Sequence, residues 1–156
     1  LRRPTVGDRL GLESAAGLTS VLVGDADLKS VVQEWGPDGL SVLPCGPLPP
    51  NPSELLGSAA MRALVDEVRE TYDMVIIDTP PVVPVTDGVV TALLADGALL
   101  VVRYGRTTRD SLQKSLTSLH SVGARLLGTA LSMVPSGGAH SVESSYYGGK
   151  RFDKAG

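Results

Sequence analysis

The chain has 156 residues, of which 42% are hydrophobic and 20% charged, values typical of one globular domain. Its net charge of −3 argues against a surface that binds nucleic acid. Its single cysteine, Cys45, excludes an internal disulfide framework and a thiolate zinc cluster. The first residue is Leu1 rather than methionine, so we expect the sequence to be a fragment of a longer protein.

The first half of the chain predicts short helices, one strand and one long helix. Before residue 40, the stretches VGDRLGL and GLTSVLVGDADLKSVVQEW predict short helices or loops broken by glycines. The apolar run LSVLPC at 40–45 predicts a strand. Asn51 and Pro52 then form a helix start, and the apolar spacing that follows predicts a helix that ends near Tyr72.

The second half alternates apolar runs with helical patterns. MVIID at 74–78 is apolar at consecutive positions, which is typical of a parallel strand covered on both faces. Thr86 or Asp87 can cap a short helix that reaches about residue 94. A strand at 97–103, a helix at 107–122 and a strand at 125–133 follow.

This alternation predicts an α/β fold, a three-layer doubly wound parallel sheet with helices on both faces. We expect the domain to occupy residues 1–134. Residues 135–156 are rich in glycine and serine and almost free of aliphatic side chains, which predicts a flexible, disordered tail. The tail contains an adjacent pair of tyrosines, Tyr146 and Tyr147.

Asp78 follows four apolar residues and precedes Thr-Pro-Pro. Ligands of open parallel sheets bind beyond the carboxyl ends of the strands, where such a carboxylate can orient Mg²⁺ and its water. The alternative is that Asp78 only caps the following turn. The two prolines stiffen the segment after it and favour the first interpretation.

Four blocks of the sequence carry a family resemblance: MVIIDTPP at 74–81, LRRP at 1–4, LPCGPLPPNPSELLGS at 43–58 and VVRYGRTTRDSL at 101–112. They resemble, over residues 1–134, the bacterial tyrosine kinases (BY-kinases) of capsular and exopolysaccharide synthesis. In that family MVIIDTPP corresponds to the Walker B motif, and LRRP to the end of a second Walker-type motif.

The resemblance implies a P-loop NTPase-like kinase that uses ATP and Mg²⁺. Asp78 would be the catalytic and metal-binding carboxylate, Arg2 and Ser132 would lie at the nucleotide, and Tyr146 and Tyr147 would accept phosphate from a neighbouring subunit. Ser132 stands where related ATPases often carry asparagine. The resemblance also implies a homo-oligomer, a fused or separate membrane-spanning activator, and a cytoplasmic location at or tethered to the inner face of the plasma membrane.

One departure from the family is the absence of a Gly-x-x-x-x-Gly-Lys-Ser/Thr loop from the 156 residues. The family places this loop upstream of LRRP, so we expect an N-terminally truncated fold and a chain that is inactive alone. Two other functions stay open. One is an ATPase of the chromosome-partition or septum-placement type. The other is a truncated scaffold that an intact kinase phosphorylates in trans.

Asp87 and a cluster of arginines each have two interpretations, one functional and one structural. Asp87 either joins the metal site or caps a helix. Arg103, Arg106 and Arg109 cluster at a strand-to-helix turn, where they bind phosphate or a partner's carboxylates, or form a solvated loop. His120 has no cysteine or second histidine near it in sequence, which argues against a metal ligand.

Overall fold

The computed structural model describes residues 1–2 and 4–135. This part of the chain contains seven helices and four strands, and none of the helices has the length and apolar character needed to cross a bilayer. Tyr146, Tyr147 and the predicted tail lie outside the described residues, apart from Pro135. In chain order the elements are α1 (Val6–Leu10), α2 (Leu18–Val23), α3 (Leu28–Val31), β1 (Gln33–Trp35), β2 (Leu40–Val42), α4 (Pro52–Leu56), α5 (Ala59–Thr71), α6 (Asp87–Ala92), β3 (Ala98–Arg103), α7 (Arg109–Ser121) and β4 (Leu126–Ser132).

The segment before residue 40 contains the expected short helices and one strand that the pattern did not predict. Gly11 and Gly24 end α1 and α2 in the left-handed conformation that glycine adopts without steric cost. The strand β1 forms an antiparallel hairpin with β2, and Trp35 lies opposite Leu40. The strand expected at 40–45 is therefore shorter than predicted, and its membership of the parallel sheet was wrong.

Residues 43–46 leave this hairpin and dock against the start of α2. The amides of Leu18 and Thr19 donate hydrogen bonds to the carbonyl oxygens of Pro44 (2.8 Å) and Cys45 (2.9 Å). These carbonyls satisfy two of the amides that have no partner within the helix. The chain is consequently in close backbone contact with itself around Gly17 and Gly46.

The helix predicted from Pro52 to Tyr72 is broken into α4 and α5. The chain leaves helical geometry at Ser58, whose Oγ accepts a hydrogen bond from the amide of Met61 at 3.2 Å. Ser58 thus caps α5, because a serine in the extended conformation satisfies a free amide of the first turn. Both helices contribute to the larger hydrophobic core, whose buried members are Leu22, Leu28, Leu56, Met61, Leu64 and Val65.

The strand predicted at 74–78 was wrong in the described structure. Residues 74–80 are not part of a strand, and Met74 and Ile76 are 77% and 85% exposed. A strand requires a neighbour to complete its hydrogen-bond ladder, and no described segment pairs with these residues. Only Ile77 packs against the larger core.

The last part of the fold agrees with the prediction. Strands β3 and β4 pair in parallel through the crossover helix α7, with Arg103 opposite Ser132 at the carboxyl end. Buried Leu119 of α7 packs with Ala92 and Ala124 in a second, smaller core. Side chains alternate along both strands between partly buried and exposed positions, and the exposed ones include Leu99, Val101, Leu127 and Leu131. The α/β class and the parallel strand pair are thus as expected.

Candidate functional site

Asp78 follows the apolar segment 74–77, of which residues 74–76 are exposed, and Asp78 itself is exposed. It forms no salt bridge with a described residue. The segment after it rests on the first turn of α6. A Cβ added to Gly88 would lie 3.3 Å from Thr79 Oγ1 and 3.4 Å from the carbonyl oxygen of Pro80. The exit from Asp78 is therefore fixed against α6, although Asp78 does not end a paired strand.

The first residue of α6, Asp87, forms a partly buried ion pair with Arg2. Its Oδ2 accepts a hydrogen bond from Arg2 Nε at 2.8 Å, and its Oδ1 accepts one from Arg2 Nη2 at 2.9 Å. Ser53, in the first turn of α4, donates a hydrogen bond to the same Oδ1 at 2.6 Å. This bidentate arrangement joins residues that are 85 and 34 positions apart in sequence.

The electrostatics of this pair follow from its geometry. The Asp87 side chain is 0% exposed and that of Arg2 is 39% exposed. Hydrogen bonding from Arg2 lowers the pKa of the Asp87 carboxyl below its usual value, against the opposing effect of burial, and the same contact raises the pKa of Arg2. Asp87 is thus charged in the folded protein at neutral pH.

Neither interpretation of Asp87 from the sequence describes this geometry. The N-cap position of α6 belongs to Thr86, whose side chain makes no capping hydrogen bond. Both carboxylate oxygens of Asp87 are taken by Arg2 and Ser53 instead of pointing to an open metal site. The capping interpretation was wrong, because tertiary contacts compete for the carboxylate and satisfy it.

The lowered pKa of Asp87 predicts a specific loss of stability in acid. A carboxyl whose pKa is lower in the folded than in the unfolded state stabilises the fold above its unfolded pKa of about 4. That contribution disappears as the pH falls through the lowered folded value. We therefore expect Asp87→Asn to lose less free energy of unfolding than the wild type between pH 6 and pH 2.5 (about the range in which aspartates titrate).

Urea unfolding at several pH values in this range measures the difference. Asp96→Asn is the matched control, because Asp96 pairs with Arg69 at 2.6 Å but its side chain is 80% exposed. Its curve should stay parallel to that of the wild type. Parallel curves for Asp87→Asn as well would contradict the assigned ion pair.

Arg2 and Ser132, expected at the nucleotide, both have partners within the fold. The guanidinium of Arg2 contacts Asp87, and its Nη2 also lies 3.1 Å from Ser53 Oγ. The hydroxyl of Ser132 donates a hydrogen bond to the carbonyl oxygen of Val102 at 3.3 Å. Their nucleotide-binding roles stay predictions.

The three arginines of the strand-to-helix turn lie in one compact segment. The amides of Arg106 and Thr107 donate to the carbonyl oxygen of Arg103 at 3.2 and 3.0 Å, and Arg109 begins α7. All three arginines are exposed, and none forms a salt bridge with a described residue. They lie at the same sheet edge as Ser132, and both interpretations of the cluster remain open.

A magnesium site made only of protein side chains is not present in residues 1–2 and 4–135, where no three acidic, histidine or cysteine side chains converge. Mg²⁺ bound to a nucleotide needs only one or two carboxylates, because phosphate oxygens and water complete its shell. An exposed Asp78 fits that requirement.

His120 is exposed and Cys45 is half-buried.

Sequence reasoning missed the contact of Ser53 with Asp87 altogether. Ser53 reads as an ordinary residue of a helix start, since Asn51 and Pro52 already account for that pattern. No local spacing connects it with Asp87. The one available signal was an aspartate at the start of a helix together with an arginine in the conspicuous LRRP block, and only the fold brings these together.

Comparison with known proteins identifies the relatives of the chain. No family model matches the sequence. It is 41% identical over 150 residues to the tyrosine-protein kinase YwqD of Bacillus subtilis (strain 168), covering 96% of this chain and 62% of YwqD. It is 36% identical over 134 residues to the tyrosine-protein kinase etk of Escherichia coli (strain K12), covering 86% of this chain and 18% of etk.

Solved kinase domains have the same fold. The kinase domain of the Escherichia coli tyrosine kinase ETK matches with a TM-score of 0.80 and 34% identity, over 88% of this chain and 56% of that one. The VpsO kinase domain matches with a TM-score of 0.81 and 30% identity, over 86% of this chain and 66% of that one. These matches confirm the P-loop NTPase-like α/β class.

The chain spans less than two thirds of the length of YwqD and less than one fifth of the length of etk. Within this span the likeness runs through nearly the whole sequence, and both solved domains share its fold. The chain belongs to the family of bacterial tyrosine kinases.

Proposed function

We propose that the protein is an ATP-dependent protein-tyrosine autokinase that regulates capsular or exopolysaccharide synthesis and export. The observation that carries the proposal is the 41% identity over 150 residues with a protein named a tyrosine-protein kinase. We further propose that it forms a homo-oligomer and works with a membrane-spanning activator at the inner face of the plasma membrane. The acceptors are Tyr146 and Tyr147 of a neighbouring subunit.

The proposed reaction transfers the γ-phosphoryl group of ATP to a tyrosine. The phenol oxygen forms a bond to the γ-phosphorus, while the bond from that phosphorus to the oxygen bridging to the β-phosphorus breaks and ADP leaves. The phenol proton passes to a carboxylate or to water, since a tyrosine hydroxyl with a pKa of about 10 is a weak nucleophile at neutral pH. Mg²⁺, when bound, neutralises charge on the phosphates.

Asp78 is the residue of the described chain best suited to this site. Its carboxylate is exposed and forms no salt bridge with a described residue, so it is available to a metal-bound nucleotide. The segment after it is fixed by Pro80, Pro81 and the contact with Gly88, which limits the positions that the carboxylate can take. We propose that Asp78 holds Mg²⁺ and helps to remove the phenol proton.

The phosphate-binding loop of such a kinase is not encoded in the 156 residues. Without its backbone amides and its lysine, the β- and γ-phosphates have no cradle. We therefore expect no phosphoryl transfer by these 156 residues alone. The arginines of the 103–109 turn do not replace the loop, since they offer charge without the convergent amides.

The test is phosphotyrosine formation by the protein produced from its own gene, incubated with Mg²⁺ and ATP. We expect phosphate on Tyr146 and Tyr147, mapped by mass spectrometry. Tyr146→Phe with Tyr147→Phe should remove most of the signal, whereas Tyr104→Phe, at an exposed tyrosine of the described fold, should not. Phosphotyrosine that survives the double change would contradict the assigned acceptors.

The same experiment separates the alternatives. ATP hydrolysis without phosphotyrosine would indicate an ATPase of the partition or septum-placement type. To test transfer in trans, the 156-residue chain is mixed with a protein from its own gene that carries phenylalanine at both acceptor positions. Label on the chain that retains Tyr146 and Tyr147 would establish it as a substrate, and label only on the phenylalanine variant would argue against transfer to a neighbour.

A further inference from the structure

The buried carboxylate of Asp87 holds three separate segments of the chain together. These segments are the beginning of the chain at Arg2, the first turn of α4 at Ser53, and the first turn of α6 itself. A further contact adds to the arrangement, since Thr86 Oγ1 lies 3.4 Å from Ser53 Oγ. Among the described residues, Asp87 has the largest side chain that is completely buried.

An ion pair that buries its carboxylate is a poor choice if stability is the only requirement. Removing a carboxylate from water is costly, and well-packed apolar residues of similar volume often stabilise a fold equally well. What an ion pair adds is direction, because a bidentate arginine–carboxylate contact tolerates little change in angle or distance. The geometry thus fixes where the first turn of α6 lies relative to Arg2 and α4.

The first turn of α6 in turn fixes the segment that carries Asp78. Gly88 follows Asp87 directly, and a Cβ added there would lie 3.3 Å from Thr79 Oγ1 and 3.5 Å from Val82 Cγ2. Thr79 is the neighbour of Asp78 in sequence. A shift of the Asp87–Gly88 turn therefore moves the backbone next to Asp78, because Pro80 and Pro81 leave this segment little freedom to adjust.

We propose that Asp87, held by Arg2 and Ser53, is a positioning residue that sets the place of Asp78 for phosphoryl transfer. The inference rests on the proposed kinase function. Asp87 acts through the backbone contact of Gly88 with residues 79 and 80 and does not itself touch the nucleotide. Arg2 then serves the site through Asp87.

The test compares Asp87→Asn and Gly88→Ala in the protein produced from its own gene. Asp87→Asn weakens the pair without changing its shape. Gly88→Ala keeps every polar group but presses a Cβ against Thr79 and Pro80, which must shift slightly to accommodate it. Both should lower kcat for tyrosine phosphorylation by about threefold to tenfold, because a misplacement of about an ångström costs about a hundredfold and the contacts at Gly88 require a smaller shift. KM for Mg-ATP should change by less than about threefold, because phosphate binding depends mainly on the loop that holds it.

The matched control is Asp96→Asn, which removes an ion pair of similar length at an exposed site. It should leave kcat and KM unchanged. Arg2→Lys provides an intermediate variant, since lysine keeps the charge but loses the bidentate contact. Assays at two temperatures below the melting temperature of each variant separate misplacement from partial unfolding, because a positioning defect persists where the protein is fully folded.

The outcomes distinguish this inference from the function on which it rests. If the wild type forms no phosphotyrosine, the proposed function fails and the inference fails with it. If the wild type is active and both variants keep kcat within twofold, only the positioning role is overturned. If Asp87→Asn does not fold, Gly88→Ala and Arg2→Lys provide the test. A wild-type kcat in both of these variants would also overturn the positioning role of Asp87.

Discussion

Asp78→Asn is expected to lower tyrosine phosphorylation by at least about a hundredfold in the protein produced from its own gene, because a positioned proton acceptor contributes about 10²- to 10⁴-fold. The amide keeps the shape of the side chain but loses the charge that, in the proposed mechanism, holds Mg²⁺ and accepts the phenol proton. The melting temperature should not change, since Asp78 is exposed and forms no salt bridge with a described residue. Initial rates of phosphotyrosine formation and a thermal melt check both parts.

Asp73→Asn is the matched control for this change. Asp73 is also exposed and lies at the other end of the same apolar segment, five positions before Asp78. It should retain wild-type activity, because charge at that end does not reach the proposed metal. Activity of Asp78→Asn within threefold of the wild type would remove this carboxylate from the mechanism.

The second large effect concerns stability, at Gly17. A Cβ added there would lie 2.6 Å from the amide nitrogen of Gly46 and closer still to the carbonyl oxygen of Pro44. These are backbone atoms, which cannot rotate away as a flexible side chain would. Gly17→Ala should therefore separate α2 from residues 44–46 and destabilise the fold by about 3 kcal/mol, at the upper end of the usual cost of overpacking.

Urea unfolding of the wild type and Gly17→Ala measures this loss. Gly128→Ala is the control, because Gly128 lies in β4 with no other heavy atom within 4 Å of an added Cβ. Its stability should stay within about 0.5 kcal/mol of the wild type. A Gly17→Ala variant as stable as Gly128→Ala would show that residues 44–46 do not approach α2 as closely as described.

The carboxyl-terminal half of the fold could be predicted because its signals are local. For β3, α7 and β4, both the apolar spacing and the residues that end the element lie within the element's own stretch of sequence. The break between α4 and α5 was missed, although Gly57 and Ser58 offered a stop and a cap, because the apolar face continues across them. A continuous pattern does not require a continuous helix.

The errors arise where structure depends on distant partners. The run at 74–78 has strand composition, but a strand exists only with a neighbour, and the described chain supplies none. The hairpin of β1 and β2 was missed because Gln33, Glu34 and Trp35 do not form an apolar run. The pair of Arg2 with Asp87 spans 85 positions, a separation over which periodicity carries no information.

The exposed apolar side chains of β3 and β4 affect which experiment can test phosphoryl transfer between subunits. Leu99 and Val101 on one face of this strand pair, and Leu127 and Leu131 on the other, present apolar surface next to strand edges without a described partner. Such edges readily recruit further chains. Clustering through that surface would make phosphorylation rise with protein concentration even if every molecule modified only itself. A dilution series therefore cannot separate the two routes, whereas mixing distinguishable donor and acceptor chains can.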